Sequence, residues 1–194
     1  MSSFTKPVKG DYAEYFEGYL EHLAADGRDV MTILNTQADG VVSGLKNITE
    51  EQANHCYAPG KWSVKELVGH VIDMERLFAF RALWIARMAE KEQPGVDENL
   101  WAANSNAGSR SVVDLVEEYQ GMRMSHLQLF SGLEGIDLSR RGMVGGFATT
   151  INSMPWLVAA HEVHHLGVLR DRYGVDFSKR IERPEFPPGG TPTR

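Results

Sequence analysis

Residues 156–173 read WLVAAHEVHHLGVLRDRY and hold three of the seven histidines of this 194-residue chain. On a helix, at about 100° per residue, Met154, Leu157, Val158, His161, His165, Val168 and Leu169 fall on one narrow stripe. His161 and His165 sit at its centre, one turn apart. An otherwise apolar stripe faces a core, so two imidazoles point into the protein together.

Burying two imidazoles costs free energy unless each finds a partner. A metal ion satisfies both, and the i, i+4 spacing lets both rings reach one ion. The bland alternative is a pair of hydrogen-bonded core histidines. The pair His161/His164 is sterically allowed, but His164 leaves the stripe. The same residues also spell HExxH, with Glu162 as the base of a zincin-type hydrolase. The wheel sets Glu162 about 80° off the stripe centre, and downstream only Asp171, Asp176, Glu182 and Glu185 remain as an acidic third ligand.

Working outward, Ser63 followed three residues later by Glu66 is a capping box, and it starts a helix that can run to about residue 89. Its inner stripe is Leu67, His70, Met74, Leu77, Trp84, Ile85 and Met88. His70 is thus a third inward histidine. Arg81 lies near the same stripe, about 16 Å further along the axis. It is too far to touch the same ion, and it needs a buried partner or a polar cavity. Glu66 reads as the cap, and Asp73 as an outer hydrogen-bond acceptor or an edge residue.

Two more amphipathic helices are expected over 28–46 (Val30, Ile33, Leu34, Gln37, Val41, Leu45) and 111–133 (Val112, Leu115, Tyr119, Met122, His126, Phe130, Leu133). His126 reads as a satisfied core or cavity-lining residue. Residues 11–23 suggest a short extra helix, and 49–53 a single turn. Residues 1–10 read as a loose arm, 95–110 as a long polar loop around Trp101, and 132–153 as a connector with no strand. Asn152 or Ser153 can cap the last helix, Gly174 can stop it, and 178–194 reads as a Pro-rich tail. The fold class is all-α: one domain over 1–194, a four-helix bundle with its core at about 28–175, a short N-terminal helix within 1–25 and long crossover loops.

Charged residues make up 24% and apolar ones 42%, as in ordinary globular proteins. A net charge of −6 speaks against nucleic acid as a partner, since phosphate contacts need clustered Lys and Arg. No window approaches the roughly 20 apolar residues of a membrane span, and the N-terminus has no apolar signal-peptide core. Cys56 is the one cysteine, which suits a reduced cytoplasm. Its neighbour His55 makes a poor dyad partner.

Three neutral imidazoles plus an open position form the coordination set of a catalytic site. Zinc and nickel both accept imidazole. The open position could lower the pKa of water for hydrolysis, or take a thiol as thiolate and make a nucleophile.

With YAPGKWSVKELVGHVIDMERLFAFR and AAHEVHHLGVLRDRYG in hand, the chain resembles the DinB-like (YfiT-like) metalloenzyme superfamily over about residues 28–175. The resemblance implies a four-helix bundle with rearranged connections, and a divalent metal (zinc or nickel) on His70, His161 and His165. It also implies a homodimer acting on a small-molecule substrate. Relatives with known chemistry are thiol-dependent transferases or isomerases that use low-molecular-weight thiols. The leading expectation is therefore a thiol S-transferase acting on an electrophile, with His126, Glu66, Asp73 and Trp101 around the pocket. The rivals are a metal-dependent hydrolase and a non-catalytic, metal-binding stress-related protein.

Overall fold

The computed structural model describes residues 3–87, 91–133 and 135–177. Its elements are α1 (Glu17–Glu21), α2 (Val30–Leu45), α3 (Glu50–Asn54), α4 (Val64–Ala86), α5 (Glu98–Asn104), α6 (Val112–Ser131), β1 (Arg141–Val144), β2 (Phe147–Thr150) and α7 (Ser153–Tyr173). The expected bundle is present, with α2, α4, α6 and α7 as its four long helices. No helix among the described residues is long and apolar enough to cross a membrane. The far end expected for α4, with Met88, and the tail 178–194, with Glu182 and Glu185, lie outside the described residues.

Local chemistry fixes the helix starts. The Asp29, Thr49, Ser63 and Ser111 side chains each accept a hydrogen bond from an N–H of the first turn, and those of Thr49 and Ser63 form full capping boxes. At α7 Asn152 takes the expected N-cap position, but its side chain makes no capping bond. The Asn152 amide is committed to the backbone of Thr5, donating at 2.9 Å and accepting at 2.9 Å. Thr150 takes over the capping, its hydroxyl accepting from the Ser153 N–H at 3.2 Å. The arm is therefore not loose: Phe4 is buried and packs edge-on against Phe130. Gly174, at φ 68°, ends α7 in the left-handed conformation that favours glycine.

The packing order is not the chain order. α2 packs on α6 and α7, and α4 packs on the same two, so α2 lies diagonally across from α4. Two apolar clusters give the directions. One joins the first half of α2 (Val30, Ile33, Leu34) to the second half of α4 (Phe78, Ala82, Ile85), the end of α6 (Phe130) and the start of α7 (Met154, Leu157, Val158). The other joins the second half of α2 (Val41, Leu45) to the starts of α4 (Val64, Leu67) and α6 (Val112, Leu115) and the end of α7 (Leu169). So α4 and α6 run one way, and α2 and α7 the other. Consecutive parallel helices need a crossover, which residues 87–111 supply.

That crossover is not a bare loop. It carries α5 and a short 3-10 turn, Ala107–Ser109. The 132–153 connector, expected to hold no strand, folds back as an antiparallel hairpin with Val144 opposite Phe147. Gly145 and Gly146, at φ 56° and 85°, form the two-residue turn, and positive φ at both positions is the type I′ arrangement. The hairpin is held by its neighbours. Gln93 pairs with it through Gln93 N–H to Met143 O (3.0 Å) and Gly145 N–H to Gln93 O (2.8 Å). A Cβ on Gly142 would come within 2.6 Å of Ile85.

Between the two apolar clusters lies a polar layer. Arg123 of α6 is 1% exposed and reaches both Glu75 of α4 and Glu162 of α7, themselves 2% and 1% exposed. It donates to Glu75 Oε1 at 2.8 Å, to Glu75 Oε2 at 2.7 Å and to the Leu34 carbonyl at 2.7 Å. The Tyr119 hydroxyl donates to Glu162 Oε2 at 2.9 Å. Burial pushes the Glu75 carboxyl up, but Arg123 and His126 outweigh it and hold it below its ordinary value. Burial raises Glu162, which Arg123 and Tyr119 offset only in part. Arg123→Leu would leave two carboxylates in the core without a counter-charge. We expect it to lose about 3–5 kcal/mol in urea unfolding at pH 7; a loss below about 1 kcal/mol would show that the layer does not hold the bundle together.

Candidate metal centre

His70 sits two turns into α4, and His161 and His165 lie one turn apart in the middle of α7. The α4–α7 contact closes these faces on each other. His161 Nε2 lies 3.0 Å from His70 Nε2 and 3.1 Å from His165 Nε2. The three ligand atoms all fall within 4.8 Å of one another. All three side chains are buried, at 7%, 6% and 9% exposed.

A neutral imidazole carries one N–H. If His161 Nε2 bears it, one N–H is shared between two lone pairs; if not, its single lone pair can accept fully from only one of the two neighbours. A cation resolves this by taking all three. Two Zn–N bonds of about 2.1 Å at the tetrahedral angle put the nitrogens about 3.4 Å apart, close to the two distances from His161. The residues therefore fit a divalent ion. All three imidazoles line one cavity of about 480 Å³, so an ion held by them would be reachable from it.

The cavity walls come from the whole fold. Trp62 comes from just before α4, His70 from its second turn, and Met74 and Arg81 from further along it. Tyr15, Phe16 and Tyr19 come from the N-terminal segment, Val96 and Glu98 from the crossover, and Val144 and Gly145 from the hairpin tip. Tyr19 stacks on His161 at 5.9 Å between ring centres, and Trp62 lies 4.8 Å from the His70 ring. His165 Nδ1 is buried without a hydrogen-bond partner among the described residues. Its ring orientation is set by packing against His70 and His164.

Other candidates fall elsewhere. Glu162 turns away from the triad into the polar layer, where Arg123 and Tyr119 hold it, so it cannot serve as an HExxH base. His126 is not on the cavity wall; its Nδ1 lies 3.2 Å from Glu75 Oε1. Glu66 is the cap, accepting from Ser63 N–H at 2.7 Å. Asp73 stands near Arg76 outside the cavity. Trp101 is on α5, 39% exposed, and does not line the cavity. His164 sits among Tyr19 and His22 on the outer flank of α7. Cys56 is exposed.

Sequence reading missed Tyr15, Tyr19, Glu98 and the hairpin tip as cavity walls, and it passed over Arg123. Arg123 lies one turn beyond Tyr119 on the inner face of α6, so the helix period could have found it. No signal marked the others.

A sequence model described as the DinB superfamily matches residues 34–169. Among solved structures the chain is similar to YfiT from Bacillus subtilis, described as a probable metal-dependent hydrolase with an unusual four-helix bundle topology. The TM-score is 0.66 at 17% identity, covering 89% of this chain and 95% of that one. No curated protein matches.

Burial lowers the pKa of all three histidines: His70 to about 4, His165 to about 3 with its histidine neighbours adding to the effect, and His161 well below its ordinary value. The unfolded chain takes up these protons near pH 6.5, while the metal-free folded chain refuses them until about pH 4 or lower. Stability is thus complete above pH 6.5 and falls as the pH drops toward 4, by up to about 1.4 kcal/mol per pH unit for each histidine. Thermal unfolding of metal-free protein between pH 7.5 and 4.5 should show this fall, and His70→Gln should flatten it. Equal slopes in the two proteins would mean that the His70 imidazole is not held neutral.

Proposed function

This chain belongs to the DinB superfamily, and from the convergence of its three histidines we propose that it is a divalent-metal-dependent enzyme acting on a small molecule. His70, His161 and His165 are its metal ligands. The observation that carries this reading is the set of three buried Nε2 atoms, facing one another at the wall of a cavity of about 480 Å³. A structural site would close the fourth position with protein; this one opens onto space for a substrate.

A divalent ion held there supplies Lewis acidity, making a thiol or a water acidic enough to ionise near neutral pH. The chain does the rest. The three imidazoles hold their lone pairs free of protons. Tyr19 and Trp62 fix the His161 and His70 rings and cover them from bulk water. Within this frame the leading activity is S-transfer from a low-molecular-weight thiol to an electrophile. It is supported by the resemblance of the GKWS…H and HxxxH elements to thiol-using relatives. Hydrolysis is the second reading, favoured by the description of the YfiT fold neighbour.

Elemental analysis of the purified protein should find about one zinc or nickel per chain. His161→Ala should bind the ion at least about 100-fold more weakly, since even outer-shell losses cost 10–100-fold. The loaded protein should consume thiol when given a haloalkyl or epoxide electrophile. Turnover of an ester or amide without thiol would move the assignment to hydrolysis. No metal in the wild type after reconstitution would remove the enzyme reading altogether.

A further inference from the structure

Arg81 stands on α4 in the cavity wall, 3% exposed. Buried guanidinium groups are normally paired with carboxylates, as Arg123 is here. Arg81 has no ion pair among the described residues. Nη2 donates to the Pro94 carbonyl at 3.0 Å, and Nε is buried with no partner. Among the described residues, four of its five N–H donors thus find no protein acceptor. Burial also works against its charge, lowering its pKa. Glu98, the one carboxylate on this wall among the described residues, is exposed and makes no ion pair with Arg81.

Position along α4 gives the rest of the argument. Arg81 is eleven residues beyond His70, about 16 Å of axial rise, on the same face. Arg81 and all three histidines line the same cavity. One cavity is therefore walled by three metal-ligating imidazoles and, further along α4, by an uncompensated cation.

We propose that Arg81 binds the carboxylate of an elongated acidic substrate whose other end is presented to His70, His161 and His165. This names the substrate class of the site described above and rests on that reading. The missing counter-charge of the cavity comes in with the ligand. A carboxylate suits the planar donor fork of arginine better than the compact ammonium of lysine. Neutral analogues would leave the cation unpaired in a desolvated place, so the site selects against them as well as for the acid.

The test is calorimetric titration of zinc-loaded protein with ω-mercaptoalkanoates of increasing length and with their carboxamide twins. The thiol is a probe for zinc, and the acid a probe for Arg81. Wild type should bind the best-fitting acid about ten-fold or more tightly than its amide. Arg81→Met should bring the two within about two-fold, and Arg81→Lys should keep an intermediate preference. Zinc content and circular dichroism should be unchanged in both variants. If Arg81→Met does not fold, wild type and Arg81→Lys decide the matter. Acid and amide bound alike by wild type, a preference that survives in Arg81→Met, or no binding of any acid would each overturn the proposal. A protein that takes no zinc loses the metal reading alone, since the acid–amide comparison on zinc-free protein still decides the role of Arg81.

Discussion

Arg123, clamped between Glu75 and Glu162, is the contact on which the arrangement of this bundle turns. Two apolar clusters could slide or rotate past each other at little cost, since hydrophobic burial has no direction. A guanidinium between two buried carboxylates has a direction, and breaking it is costly. It ties α6 to α4 and to α7 at one level, and the Leu34 carbonyl adds α2. Glu162 is the neighbour of His161 in sequence. Fixing its rotation about the α7 axis therefore fixes where His161 and His165 point. The polar layer and the histidine cluster are two faces of the same clamp.

That dependence explains what the sequence could and could not reveal. The stripes of α4 and α7 were readable because a 3.6-residue period puts His70, His161 and His165 on inward faces whatever the partner helix is. Helix starts at Ser63 and Ser111 were readable because caps are local. The hairpin was not. RGMVGGFATT has weak alternation, and it folds because Gln93, Ile85 and Asp11 wait for it from elsewhere in the chain. The docking of Phe4, and the diversion of Asn152 from capping to Thr5, are tertiary for the same reason. An amphipathic stripe also does not say which stripe it meets, so the diagonal placement of α2 and α4 had no sequence signal. Glu162 shows the limit of a motif. HExxH was present in letters, but the fold spends the glutamate on Arg123.

The cavity divides its labour between rigid and variable parts. The histidine-bearing faces belong to α4 and α7, which are locked by core packing. The opposing wall comes from the N-terminal segment, the crossover and the hairpin tip. Those segments can change in sequence without moving an imidazole, so the cavity lining can drift while the histidine cluster stays.

The helix order bears on how the chain is made. α2 leaves the ribosome early, yet its packing partners α6 and α7 begin only at residues 112 and 153. The arm waits longer still, since Thr5 is held by a residue 147 positions away. At about 5–20 residues per second the amphipathic face of α2 stays without its native cover for several seconds. Such a topology favours long-range closure over local pairing, which slows folding relative to an up-and-down bundle of the same size. The inner face of α2 is therefore the surface of the bundle that is covered last, once α6 and α7 have both formed.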